Sequence, residues 1–220
     1  MYLILKRILD ILIACLGIIV LSPLFIIIIL LLLLTGEHEV FYRQKRIGIE
    51  NTTFGIIKFA TMVKNSLQIG TGAITLRNDP RVTHVGKILR MSKLNELPQV
   101  INVLLGDMSV VGPRPLVQVT FDAYPDYVKK EIYKSKPGIT GIGSIIFRDE
   151  ELLISNSPLE PAVYYKNTIA PYKGDVELWY HRNRSILADL KIIFVTAWVI
   201  IFPKSDLLYR WFKDLPKRPF

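Results

Sequence analysis

The sequence predicts a mostly helical α+β protein, held on a membrane by its N-terminus and carrying a cytosolic globular domain with short strands. Three observations lead there. Ile11 to Leu34 contains no charged residue and is almost wholly apolar. Basic residues flank that run on both sides. The remainder alternates capped helical signals with brief β-branched segments and Gly/Pro turns. Half of the 220 residues are apolar and the net charge is +9, so an anionic partner such as a membrane surface or a nucleotide suits the chain. The single cysteine, Cys15, excludes an internal disulfide framework.

A signal peptide is the first alternative for the N-terminal run, but the run is too long and no small-residue cleavage site follows. A straight spanning helix is the second, since 24 residues give about 36 Å against a hydrocarbon core of about 30 Å. Two features oppose it. Ser22-Pro23 lies mid-run, where proline removes a backbone hydrogen bond at about 3 kcal/mol and the freed carbonyl needs another partner such as a serine hydroxyl. Lys6 and Arg7 precede the run, and Arg43, Lys45, Arg46 and Lys58 follow it. One crossing cannot satisfy the positive-inside bias at both ends. A re-entrant helix–break–helix hairpin over residues 1–36, broken at Ser22-Pro23, returns both ends to one face. The expected division is then a cytosolic domain over 37–203 and a basic tail over 204–220.

The basic segment Phe41 to Gly48 suits the headgroup layer, or a solvated strand. Phe54 to Met62 reads as a short strand. Asn78-Asp79-Pro80-Arg81 has turn chemistry, with Arg81 either exposed or in contact with a ligand. Val100 to Leu105 reads as a helix, with Asn95 as N-cap, Pro98 tolerated early and Gly106 just past the end. Glu96 then sits at the positive end of the dipole, where phosphate also binds. Pro113 and Pro115 fix Arg114, a fork-shaped cation suited to a diphosphate. On local chemistry alone the plainer reading is favoured: a cap, a surface acid and a rigid turn. Tyr124 to Lys134 reads as a surface helix and 149–161 as a loop. Ile192 to Phe202 reads as an interfacial helix or a packed core helix. His38, His84 and His181 show no metal-ligand spacing.

The stretch RMSKLNELPQVINVLLGDMSVVGPRP, Arg90 to Pro115, resembles the signature of the bacterial sugar transferases, the monotopic polyprenyl-phosphate phosphoglycosyl transferases. Leu89, Arg90, Glu96, Leu97, Pro98, Gln99, Asn102, Gly106 to Ser109 and Val111 to Pro115 fall in register. Ser22-Pro23, the segment from Phe41 to Gly48, Lys136 to Gly141, and Tyr180, Asn183, Ser185 and Asp189 extend the likeness from Lys6 to about Phe202. The form is the small one, without the extra N-terminal membrane helices of longer members. Glu177 stands where the family has Asp.

The resemblance implies transfer of a phosphosugar from a UDP-sugar to undecaprenyl phosphate or a similar polyprenyl phosphate, releasing UMP. It implies Mg²⁺ with Glu96 as ligand, and phosphate contacts from Lys58, Arg90 and Arg114. It places the chain on the cytoplasmic face of a bacterial inner membrane, among its lipids, with self-association left open. No nucleic-acid motif is present. Two positions depart: Ala60 stands where the family usually has Arg, with Lys64 or Arg77 as stand-ins, and Asn95 replaces the nucleophilic Asp. Asn95 has no anionic oxygen, so three readings stay open: an inactivating change, Glu96 as nucleophile or base, or direct attack by the lipid phosphate. The rival function is a non-catalytic membrane-bound relative that binds nucleotide sugar or lipid phosphate or scaffolds partners.

Overall fold

The computed structural model describes residues 1–69 and 79–220. Its first element, α1, runs from Tyr2 to Leu34 with Pro23 inside it. The expected pair of helices is therefore one helix. Pro23 has no N–H to give the carbonyl of Ile19, one turn back, and Ser22 Oγ donates to that carbonyl instead, at 2.8 Å. From Cys15 to Ile27 no residue is buried. The two ends are different: Lys6, Asp10 and Ala14 are buried at one, Ile28 and Leu32 at the other.

The N-terminal end is bolted to the body by charge. Lys6 Nζ lies 3.0 Å from Asp10 and 3.3 Å from Asp189. Asp10 also accepts from Ser109 Oγ at 2.8 Å and from the Val110 N–H at 3.0 Å. Tyr180 donates to Asp189 at 2.7 Å. Burying these charges is tolerable only because each is paired and hydrogen-bonded. Arg7 donates to the carbonyls of Val103 and Leu104, at 2.6 and 2.9 Å. Those carbonyls end a helix, where acceptors lack partners and the dipole favours a cation. Lys6 and Arg7 therefore serve the body rather than flanking a membrane as free charges.

After α1, strands β1 (Phe41–Ile47) and β2 (Thr53–Phe59) form an antiparallel hairpin that pairs Tyr42 with Lys58, Gln44 with Ile56 and Arg46 with Phe54. Helix α2 (His84–Met91) starts at Thr83, whose hydroxyl accepts from the Gly86 N–H at 3.0 Å. A 3₁₀ turn, Leu94–Glu96, leads into α3 (Gln99–Leu105), which ends at Gly106 with φ of 92°. Asn102 of α3 is fully buried and copies a strand's bonding: its Oδ1 accepts from Ile57 N and its Nδ2 donates to Gly55 O, both at 2.9 Å.

Strand β3 (Ser109–Val111) pairs in parallel with β4 (Gly138–Thr140). The backbones approach so closely that a Cβ on Gly138 would lie 2.1 Å from Gly112 N. Between them lie α4 (Gln118–Asp122), α5 (Asp126–Glu131) and a 3₁₀ turn at Ile132–Lys134. The expected surface helix over 124–134 is shorter, Asp126–Glu131 after Pro125: it is a surface helix that buries Val128, while Tyr124 before it and Ile132 and Tyr133 after it are buried. After β4 come α6 (Ile142–Ile146), α7 (Glu150–Ser155) and α8 (Pro161–Tyr164). Helix α7 occupies the expected loop, where Glu150 and Glu151 complement its N-terminus. Helix α9 (Ala170–Asn183) and α10 (Ile186–Ile201) follow, the latter capped by Ser185. Helix α11 (Leu207–Trp211) completes the chain, and Leu208, Phe212 and Leu215 pack into the core.

Candidate functional site

Three segments far apart in sequence converge beside α3. Lys58 comes from β2, Glu96 from the 3₁₀ turn before α3, and Arg114 from the Pro-Arg-Pro segment after β3. Glu96 Oε1 lies 3.0 Å from Lys58 Nζ and 3.2 Å from Arg114 Nη2. A fourth group joins them. Arg46 lies on the face of the hairpin that also carries Lys58, because Gln44 and Arg46 are in the same alternation as Tyr42, the partner of Lys58. Its guanidinium is fixed by Gln44 Oε1 at 2.7 Å and Pro115 O at 3.2 Å. Arg46, Ile56, Lys58, Gln99, Arg114 and Pro115 line a small cleft. Three cations thus face one carboxylate, leaving room for two further negative charges.

The electrostatics follow from that count. Burial alone would raise the Glu96 carboxyl, but Arg114 and Lys58 override it and hold it well below the usual carboxylate range. Burial lowers Lys58 to about 8, opposed by Glu96 and reinforced by Arg46 and Arg114. Burial, then Arg114, lowers Arg46 to about 10. Glu96 raises Arg114 further. The Arg114 side chain is 37% exposed against 14% for Lys58, so it is the more open of the two to a bound anion.

The main chain around Arg114 is held at every polar group. Gly138 N donates to Pro113 O at 2.9 Å. Arg114 N donates to Glu177 Oε1 at 3.3 Å, and Tyr133 OH donates to Arg114 O at 2.7 Å. Tyr133 OH also accepts from Leu116 N at 2.9 Å. With a proline on each side, Arg114 is placed before any ligand arrives.

Lys58, Glu96 and Arg114 are therefore brought together as expected. Arg90 lies to one side, donating to Thr61 Oγ1 at 2.9 Å rather than to Glu96. Asn95 does not cap α3. It sits inside the 3₁₀ turn, helical rather than extended, and α3 begins four residues later without a side-chain cap. Its Oδ1 is buried and has no partner among the described residues. Ala60 stands beside Glu37, Glu39 and Thr83 at the end of α1. Lys64 pairs with Glu39, which stands beside Ala60, at 3.5 Å; Arg77 and Asn78 lie outside the described residues. Arg81 is not exposed, being buried against Asp79 at 2.6 Å. Among the described residues no three His, Cys, Asp or Glu side chains gather in a metal cluster.

The chain matches the family described as "Bacterial sugar transferase" over residues 1–203. It belongs to that family. The exopolysaccharide production protein ExoY of Sinorhizobium fredii is 36% identical over 205 residues, which cover 87% of this chain and 83% of that protein. The UDP-glucose:undecaprenyl-phosphate glucose-1-phosphate transferase of Klebsiella pneumoniae is 36% identical over 205 residues, covering 91% of this chain and 41% of that protein. The Escherichia coli (strain K12) protein of the same name is 36% identical over 197 residues, covering 88% and 39%. This bacterial sugar transferase thus spans most of ExoY and about two fifths of the other two.

Proposed function

We propose that this sugar transferase moves a sugar phosphate from a UDP-sugar to a polyprenyl phosphate, such as undecaprenyl phosphate. The products are a polyprenyl-diphosphate-sugar and UMP, in the first membrane step of a bacterial surface glycan. The observation that carries the reading is the cleft lined by Arg46, Lys58 and Arg114, the last two of which are ion-paired with Glu96. A diphosphate supplies the negative charge this set lacks, and fork-shaped guanidinium groups match its oxygens. Phosphoryl transfer depends on such positioning and charge neutralisation.

A divalent ion fits the donors present. Glu96 offers a carboxylate, and the neighbouring Asn95 offers a buried amide oxygen that has no partner among the described residues. Mg²⁺ takes one or two such protein oxygens and completes its shell from phosphate and water. When bound, it would neutralise charge on the diphosphate.

The nucleophile is the acceptor phosphate itself. Asn95 has no anionic oxygen, and Glu96 is held by two cations that strip its basicity. An oxygen of the lipid phosphate attacks the sugar-bearing phosphorus. The bond to the α-phosphate breaks, and UMP leaves with the electron pair. Glu96 meanwhile keeps Lys58 and Arg114 at a fixed spacing.

Placement at a single leaflet is supported by α1. At 33 residues it is about 50 Å long if straight, yet both its ends are buried in the body while Cys15 to Ile27 is not. Leu187, Leu190, Phe194, Trp198 and Ile201 form an exposed apolar face on α10, and Trp211 stacks on Phe194. Both surfaces suit a monotopic protein at the cytoplasmic face of the inner membrane, with a re-entrant helix bent at Ser22-Pro23.

The test is UMP release by purified protein given a panel of UDP-sugars, polyprenyl phosphate and Mg²⁺. Release that needs the lipid, with intersecting initial-rate lines and no covalent adduct, supports direct transfer. Parallel lines with a trapped adduct overturn that route. UDP-sugar binding without UMP release selects the non-catalytic alternative.

A further inference from the structure

Among the buried acids of the described residues that the transfer does not use, Glu177 has a carboxyl oxygen without a partner. Glu177 lies on α9, behind the Pro-Arg-Pro segment and away from the cleft, and is 2% exposed. We propose that Glu177 is a positioning residue for the transfer, holding the main chain of Arg114 from behind the site through its buried carboxyl. The inference rests on the transferase reading above.

The packing is built around this group. Its Oε1 accepts from the Arg114 N–H at 3.3 Å, while Tyr133 secures the carbonyl of the same residue. Gly143 of α6 faces it, and a Cβ there would lie 2.2 Å from Oε1, so the helix yields that volume to the carboxyl. Oε2 is buried without a partner among the described residues, and so is the hydroxyl of Ser144, next to Gly143. An ionised carboxylate with an oxygen left bare in the interior is costly, whereas a protonated one is tolerated.

The surrounding charges do not reverse this. Lys173, one turn earlier on α9, is ion-paired with Glu150 of α7. The Arg114 guanidinium is engaged by Glu96. Tyr124, Tyr133 and Tyr165 face the same region, and burial raises all three, so they stay neutral. Burial likewise raises Glu177, to about 7, with the Arg114 N–H, Lys173 and Arg114 pulling the other way.

Below neutral pH Glu177 is therefore mostly in its neutral form. It accepts one bond from Arg114 and adds no negative charge behind the phosphate site. Ionisation places an anion beside Arg114 and weakens the field that a diphosphate meets in the cleft.

The experiment measures UDP affinity of the full chain in lipid nanodiscs from about pH 5.5 to 8.5, for the unaltered protein and for Glu177→Gln. The glutamine keeps the acceptor and cannot ionise. The unaltered protein should lose affinity by about tenfold across that range, the scale of one added unit charge in a partly buried site. Glu177→Gln should bind as well as the unaltered protein does at low pH and lose about tenfold less affinity across the range, keeping only the pH dependence that comes from Lys58 and from the phosphate of UDP itself. Parallel profiles overturn this inference alone. Absence of UDP binding by both forms overturns the transferase reading, and this inference with it. An infrared difference spectrum of the unaltered protein over the same range needs no variant. A protonated-carboxyl band that disappears near neutrality supports the assignment, and its absence at every pH overturns it.

Discussion

Replacing Asp10 by alanine tests what holds the long apolar helix α1 to the rest of the protein. Asp10 is 3% exposed and makes three contacts: Lys6 at 3.0 Å, Ser109 Oγ at 2.8 Å and Val110 N at 3.0 Å. After truncation Lys6 keeps Asp189, and Ser109 keeps the Val111 carbonyl. The Val110 N–H keeps no partner among the described residues, at about 1–3 kcal/mol for a buried orphan. Two charge-assisted bonds are lost as well, each worth about 1.5–3 kcal/mol before relaxation. The sum overcounts because the groups share one network, so the expected cost is about 4 kcal/mol, within the range for breaking a buried pair. In a chain of this size that corresponds to a fall of about 10 °C in unfolding midpoint. Thermal unfolding in nanodiscs, followed by near-ultraviolet circular dichroism, reads it. Asp206→Ala is the control, because Asp206 and Arg210 form an exposed pair whose loss should shift the midpoint by less than about 2 °C. A shift for Asp10→Ala no larger than the control's would refute the reasoning.

Other outcomes follow from the same contacts. Arg46→Ala should raise the KM for UDP-sugar by about tenfold or more, since a fixed guanidinium leaves the cleft; steady-state kinetics with unchanged KM would remove Arg46 from the site. Gly143→Ala should push the Glu177 carboxyl aside and weaken UDP binding in titration calorimetry, because the added Cβ would stand 2.2 Å from Oε1. Stability should depend on pH through Glu177. Its ordinary value is 4.5 and burial raises it to about 7, so the folded chain keeps a proton that the unfolded chain releases. That contribution is complete below about pH 4.5 and declines by at most about 3 kcal/mol as pH rises to 7. Glu177→Gln should lack the decline, which unfolding midpoints at about pH 5 and 8 will reveal.

Much of the fold was legible because its signals are local. The apolar run, the Gly106 stop after α3, the close glycines of β3 and β4, and the Ser185 cap each depend on residues a few positions apart. What escaped depends on partners far away. Lys6 and Arg7 look like membrane-flanking charges until Asp189 and the end of α3 are placed beside them. Arg81 looks like a free turn arginine until burial joins it to Asp79. Arg46 was read as part of a basic surface, although strand alternation with Gln44 and pairing of β1 with β2 put it on the Lys58 face. Asn95 has the composition of a cap but lies one turn too early, in a 3₁₀ turn that period-based reading does not separate from the helix. The region of Lys58, Glu96 and Arg114 stood out through its motif; the acid behind it did not, because nothing in the local sequence shows that Glu177 reaches the Arg114 backbone.

The most direct measurement is UMP formation by the reconstituted chain with each substrate omitted in turn. The account predicts UMP only when UDP-sugar and polyprenyl phosphate are both present, with the sugar recovered on the lipid as a diphosphate. UMP formed at the same rate without the lipid, or no UMP with any UDP-sugar despite tight binding, would contradict it.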